Sequence, residues 1–383
     1  MRTACAMECH GMRRYRVTIL PIVVVLLVAA MILGAFPLPR CDTGTALGAA
    51  ASWKLIGFKG KQVWDVLVDP RSANKVFVVP WRDGAYRSLD YGKTWTRVTK
   101  SIGSPWGNAI AMDAFDSKIL YLADDRSLYR SLDGGTTWKG VYVGPKGSQF
   151  RCLCADPSHK GVVFAGNDVY GVVKYTGYAT AVDPVTMNFL DHYSDAMDRR
   201  VQSLAVDPSS SLRLYAGTLY ELYRSNDGGE TWHGGTTGAV NTASGGFIGP
   251  TKTISSIAVN AKGTVFADIG MMAFPRPKVD NSGLYRSINR GVSWSRINTG
   301  FAKASTFPTP SVSRVCFNPK NSNEIFAASD TGVYRSTDGG KTWKPLGAGL
   351  PADARYVHCL ALDPKDPHVL YAGTDEGLYK LAF

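Results

Sequence analysis

Basic residues recur just ahead of a repeated apolar run in this chain: Lys61, Arg151, Arg199 with Arg200, Lys252, Arg314 and Arg355. Aromatic side chains and further arginines interleave with them: Trp64, Trp81 beside Arg82, Trp106 and Arg276. Gathered at one rim, such cations would raise the local potential and attract an acidic partner. Aromatics beside arginine make a contact surface for protein or sugar. Acid–base chemistry has thinner support. Glycoside hydrolysis needs two carboxyl groups flanking the scissile bond. Asp65, Asp375 and Glu376 face the same way as the cations, but no spacing fixes a pair. Tyr220 and Glu221 are sequence neighbours, and adjacency on a strand points them apart. No nucleophilic triad, zinc-ligand spacing or phosphate loop stands out. No catalytic residue, metal or cofactor is therefore expected.

The elements that must position these residues are written in a repeated phrase. It runs Ser88-Leu89-Asp90-Tyr91-Gly92-Lys93-Thr94-Trp95 and returns around Asp133 and Trp138, Asp227 and Trp232, Asn289 and Trp294, and Asp338 and Trp343. A phrase returning at intervals of tens of residues signals an array of similar small sheets. Each copy follows a Tyr-Arg pair at the end of one apolar run and precedes another, as a hairpin does. Ser and Asp side chains can close the turn on backbone N–H groups, and the Trp can pin it to its sheet. The phrase resembles the Asp-box, or bacterial neuraminidase (BNR) repeat. The resemblance implies that these ten residues are structural and lie away from any active site.

A second marker, Asp-Pro or a variant, recurs at Asp69, Asp113, Asp156, Asp207, Asn260, Asn318 and Asp363, giving seven units. Short alternating runs between Gly, Pro and Asp turns predict four antiparallel strands in each. The last unit lacks its fourth strand, and 52–57 supplies one, with Trp53 where a box Trp would sit. The reading is all-β: a seven-bladed β-propeller over 52–383, closed by the N-terminal strand. Six blades is the alternative if the irregular third unit forms no sheet. Small residues two before each marker, such as Ala111 and Cys154, predict an innermost strand buried on both faces. The long connections 176–200, 233–253 and 270–282 share one face of the ring with the cations, and variable loops on a rigid scaffold are where binding concentrates.

Residues 17–36 form an apolar run preceded by Arg13, Arg14 and Arg16. This predicts a signal peptide or membrane anchor after a basic cytoplasmic segment (1–16), with a linker over 37–51. The propeller then faces outward, at the periplasm or cell surface, tethered or secreted. The formal net charge is +12. An outward-facing protein makes nucleic acid a poor partner despite that balance. The seven cysteines show no disulfide framework and read as buried free thiols.

Over 52–383 the chain resembles photosystem II assembly and stability factors, in its Asp-Pro, Tyr-Ala-Gly and Gly-Leu-Tyr-Arg-Ser phrases and its strand exchange. That resemblance implies a non-enzymatic monomeric propeller offering a basic patch to a membrane-protein complex. The expectation is therefore a protein-binding assembly or scaffold factor. The alternative is a carbohydrate-binding protein or glycoside hydrolase, since xyloglucanases use similar repeats, with two propellers flanking a catalytic cleft. Sialidases share the boxes but none of their catalytic set.

Overall fold

The computed structural model describes residues 51–103, 106–177, 200–219, 221–234, 253–270, 282–302, 311–354 and 356–383. The basic segment, the apolar run 17–36 and nearly all of the linker lie outside these. No helix among the described residues is long and apolar enough to cross a membrane. Residues 49–383 form one compact unit.

Seven antiparallel sheets make a seven-bladed β-propeller. Blades 1, 2, 4, 5 and 6 each run four strands in chain order. Blade 3 shows three strands among the described residues, Phe150–Ala155, Val162–Asn167 and Gly171–Thr176. Its irregular sequence still builds a sheet, so the count is seven. Blade 7 pairs Val357–Leu362, Val369–Thr374 and Gly377–Ala382 in order, and its outer strand is Lys54–Gly57 from the other end of the unit. Innermost strands of neighbouring blades contact one another, and Val63–Val68 of blade 1 meets Val357–Leu362 of blade 7. The ring is thereby closed.

The second strand of each blade is the one buried on both faces. Val76–Pro80, Leu120–Ala123, Val162–Asn167 and Val265–Ile269 are buried throughout. Each is flanked by its neighbour blades, so both side-chain directions meet protein. The innermost strand departs from expectation. Several of its small residues, among them Cys154, Cys316 and Ala361, are only half-buried because they line the central channel, while Ala111 and Ala205 are buried. The half-buried ones are small to leave a lumen open, not to let sheets approach.

The repeated phrases act as predicted, and the bonds show how. In blade 2, Ser131 Oγ donates to Asp133 Oδ1 (2.8 Å) and accepts from the Gly135 amide (2.8 Å). Asp133 accepts from the Thr137 hydroxyl (2.6 Å) and amide. That hydroxyl bond, with the amide bond, holds the Asp133 carboxyl down at about 2. Blade 5 keeps the same turn without a charge: Asn289 Oδ1 accepts from Ser287 Oγ and the Ser293 amide, and its Nδ2 donates to Ser293 Oγ.

Three of the Tyr-Arg-Ser arginines reach into the next blade, while Arg335 pairs with Glu324 of its own. Arg87 donates to the Gly134 carbonyl, Arg224 to that of Arg290, and Arg286 to that of Gly339, each in the following box. Three tryptophans stitch the other way. Trp95 Nε1 donates to Ile56 O (3.3 Å), Trp343 Nε1 to Ile297 O (3.1 Å) and Trp53 Nε1 to Leu346 O (2.9 Å). Trp53 thus works as a box tryptophan, and it is 4% exposed. Trp53→Ala should remove a filled interblade site and cost about 3–5 kcal/mol. A urea titration read by circular dichroism should show a lower midpoint in one transition. A separate early transition would mean that the closing blade unfolds alone.

Candidate functional site

Six of the seven innermost strands slip register at one place: between Val63 and Asp65, Phe150 and Cys152, Val201 and Ser203, Ile254 and Ser256, Val312 and Arg314, and Val357 and Cys359. A β-bulge re-aims the side chain it skips and is common at barrel rims and active sites. Here the skipped residues are Trp64, Arg151, Gln202, Ser255, Ser313 and His358. In blade 2, Asn108 precedes the strand and its amide bonds to Ala123 O, holding the same place. All seven line one cavity of about 880 Å³ at the upper end of the channel. All seven also stand five residues before the Asp or Asn marker. That spacing was the available signal, and charge-guided reading caught only Trp64 and Arg151 from it.

The wall contributed by blades 7, 1 and 2 is aromatic. The Trp64 and Trp81 rings lie parallel, 5.8 Å apart and 9° from coplanar orientation. The Arg82 guanidinium sits 4.4 Å from the Trp81 ring centre and 4.3 Å from that of Trp106. On the other flank, His358 lies 6.3 Å from Trp64, and Tyr356 lies 4.8 Å from His358. His358 Nε2 is 2.7 Å from Asp375 Oδ1, which fixes the imidazole. The opposite wall is hydroxyl and amide: Gln202, Ser255, Ser311 and Ser313.

Among the described residues, three of the expected rim cations are neutralised. Arg151 holds Asp168 with two bonds of 2.9 and 3.0 Å. Lys61, outside the cavity wall, pairs with Asp83, which raises its pKa. Arg314 reaches from blade 6 to Asp65 of blade 1 (3.0 Å). Its side chain is 44% exposed, to channel water rather than to open surface. Asp65 also accepts from the Val66 and Ile110 amides, 3.0 Å each, so its position is fixed by two blades besides the guanidinium. Arg200 is half-buried, its carbonyl taken by Gln202, and is not part of the cavity wall. Arg199, Lys252, Arg276 and Arg355 lie outside the described residues.

Two further groups shape the chemistry. The four described cysteines are free, and burial pushes Cys152 up to about 12 and Cys316 up to about 11. Cys152, Cys154 and Cys316 line the channel as inert thiols, and Cys359 is buried behind it. Behind Ser255 and Ser311, Asp268 is fully buried and accepts from Ser255 Oγ (2.6 Å). Burial pushes its carboxyl up to about 7, against the Ser255 bond, and the charge of Asp330 adds to the rise. Burial, with the charges of Asp330, Asp375 and Asp268, also raises Tyr356. Sequence reasoning missed Asp268 because its burial comes from other blades.

The BNR/Asp-box repeat model matches residues 223–233 and 334–345. The chain is a seven-bladed BNR/Asp-box propeller. It is 25% identical over 318 residues to the xyloglucanase Xgh74A of Acetivibrio thermocellus, covering 74% of this chain and 32% of that one. The GH74 xyloglucanase of Xanthomonas campestris superposes with a TM-score of 0.67 at 20% identity, over 86% of this chain and 53% of that one. YCF48 from Cyanidioschyzon merolae superposes with a TM-score of 0.62 at 15% identity, over 87% and 99%. At these identities the structural likenesses show the fold alone. The chain spans about a third of its xyloglucanase relative and half of the Xanthomonas structure.

These findings correct the expectation of a non-catalytic assembly factor: the sequence relatives are named xyloglucanases, in favour of the glycan alternative. The physical reason lies in the rim. Among the described residues, Lys61, Arg151 and Arg314, read from the sequence as part of a free ring, are each tied to a carboxylate, and much of the cavity wall beside them is aromatic.

Asp268 sets a pH test. Its folded pKa lies above the unfolded value of about 3.9. The folded state therefore holds the extra proton, and this stability declines as pH rises from about 4 to about 7. Asp268→Asn should unfold at a higher urea midpoint than the parent at pH 8 and at a similar one at pH 4. Parallel pH profiles for the two proteins would show that the proton is not held there.

Proposed function

We propose that the protein acts on a polysaccharide, bound across the aromatic wall of the upper mouth. The observation that carries this is the run Tyr356, His358, Trp64, Trp81 and Trp106 along one side of a cavity whose other side is hydroxyl and amide. A pyranose has an apolar C–H face and a hydroxyl edge. The first suits a flat ring and the second a polar wall. The relatives named xyloglucanases support a glycan, and xyloglucan is the first probe. Trp81, 41% exposed, is the ring to remove. Trp81→Ala should weaken xyloglucan binding in isothermal titration by roughly ten- to a hundredfold, or about 1.4–2.7 kcal/mol. Unchanged affinity would remove the mouth as the site.

The same relatives favour a second reading, in which binding leads to hydrolysis. Two carboxyls must then flank the bond. Asp125 in blade 2, bonded by Asn108 Nδ2 at 3.1 Å, and Asp375 in blade 7, held by His358, stand at the two ends of the aromatic run. Asp65 is unsuited, since Arg314 and two amides occupy it. Reducing-end release from xyloglucan, lost in Asp125→Asn or Asp375→Asn with binding retained, would support hydrolysis. Binding without release would leave a recognition module.

A further inference from the structure

Arg82 is the one described cation on the cavity wall whose charge is not met by a carboxylate. Arg151 is held by Asp168 and Arg314 by Asp65, and Arg82 is exposed with neither an ion pair nor a side-chain hydrogen bond. The carboxylate next to it in sequence is already engaged. Asp83 pairs with Lys61 and accepts from the Tyr86 hydroxyl at 3.1 Å.

The guanidinium is nonetheless held in place. Trp81 and Trp106 both lie within stacking range of it. Contact with aromatic rings occupies the faces of a guanidinium and leaves its N–H donors, which lie in the plane, at the edge. The backbone is also unusual. Arg82 sits at φ 57, in the left-handed region, where the Cβ of a non-glycine residue crowds the following carbonyl oxygen. Such outliers persist where surroundings over-determine them and cluster at ligand clamps. A turn serving only to connect two strands could place glycine here, as the next-but-one residue, Gly84 at φ 72, does.

We propose that Arg82 receives the carboxylate of a uronate, so that the preferred polysaccharide is acidic. This rests on the glycan reading above and names the substrate class of the same mouth. A planar fork with open edge donors takes a carboxylate through two parallel bonds. A uronate carries that group at the edge of its pyranose ring, so a sugar against the aromatic wall brings it to the guanidinium edge. Asp125, which lines the cavity beside Trp106, then accepts a sugar hydroxyl. A carboxylate there tolerates a uronate only if Arg82 separates the two charges, so the guanidinium decides acidic against neutral binding.

The test is titration of the full chain with polygalacturonate, its fully methyl-esterified form, neutral xyloglucan and dextran sulfate. The parent and Arg82→Lys, Arg82→Gln and Lys341→Gln are compared. Lys341 is exposed in a box turn, so its variant removes one charge without touching the mouth. The expected result is tightest binding to polygalacturonate, weakened at least tenfold by Arg82→Gln and by esterification. Arg82→Lys should recover only part, and Lys341→Gln should change little. Equal affinity for esterified and free polygalacturonate would overturn the uronate assignment while leaving the glycan reading intact. So would equal losses in Arg82→Gln and Lys341→Gln, which would mark general attraction of a polyanion to a basic protein. Tighter binding to dextran sulfate would replace carboxylate by sulfate. Failure of all four polymers to bind would remove the glycan reading itself.

Discussion

Each blade of this protein can bury its second strand only against a neighbour, and that need for a neighbour governs the rest. Val76–Pro80 or Val265–Ile269, buried on both faces, would be an exposed apolar sheet in an isolated unit. Such arrays gain stability through their interfaces rather than within each repeat. A linear array would leave two raw ends. Pairing Lys54–Gly57 with Gly377–Ala382 removes both by making the two chain ends share blade 7. The box arginines and tryptophans then lock adjacent blades along the lower face, with Arg87 reaching forward into blade 2 and Trp95 back into blade 7.

A ring locked below frees its upper rim. Once the boxes fix the blades, the innermost strands need not run in perfect register to the top, and nearly all of them bulge there. The bulge turns a strand residue that would otherwise be committed to the interblade core toward the lumen. Together with Asn108 of blade 2, the six bulged positions line one mouth at the expense of a single extra residue per strand. The residues chosen differ from blade to blade, from Trp64 to Ser255 to His358, whereas the boxes barely change. Sequence variety on a constant backbone device is what a site grafted onto a scaffold should look like.

This division also explains what the sequence made legible. Boxes, markers and closure depend on local turn chemistry: Ser131 and Asp133 are two residues apart, and their bond follows from their types. The partners that decide the rim are distant. Asp65 and Arg314 are separated by 249 residues, and nothing in either neighbourhood announces the pair. Arg151 and Asp168 meet through a blade edge, and Asp268 owes its shifted carboxyl to packing from several directions. A reading that counts charges along the chain therefore overestimates free charge. Aromatic residues suffer less, because no counter-ion can cancel a ring, and Trp64, Trp81 and Trp106 line one cavity.

The crowding of the ring bears on where chemistry can sit. A cleft between two propellers can place one carboxyl on each wall, with the polymer running between them. Within a single ring, any pair must be found around one mouth, where the walls are already crowded with bonds that keep the ring together. Asp65 shows the conflict. It sits on the innermost strand beside the lumen, where a catalytic carboxylate would be useful, yet it accepts from Val66, Ile110 and Arg314 and so ties blades 1, 2 and 6 together. A group with that many fixed donors is poorly placed to exchange a proton with a substrate, and freeing it would loosen the rim. The carboxyls less committed to the frame, Asp125 and Asp375, stand farther out, at the ends of the aromatic run. Any carboxyl pair offered by this ring is therefore to be sought at the margin of the mouth rather than in its throat.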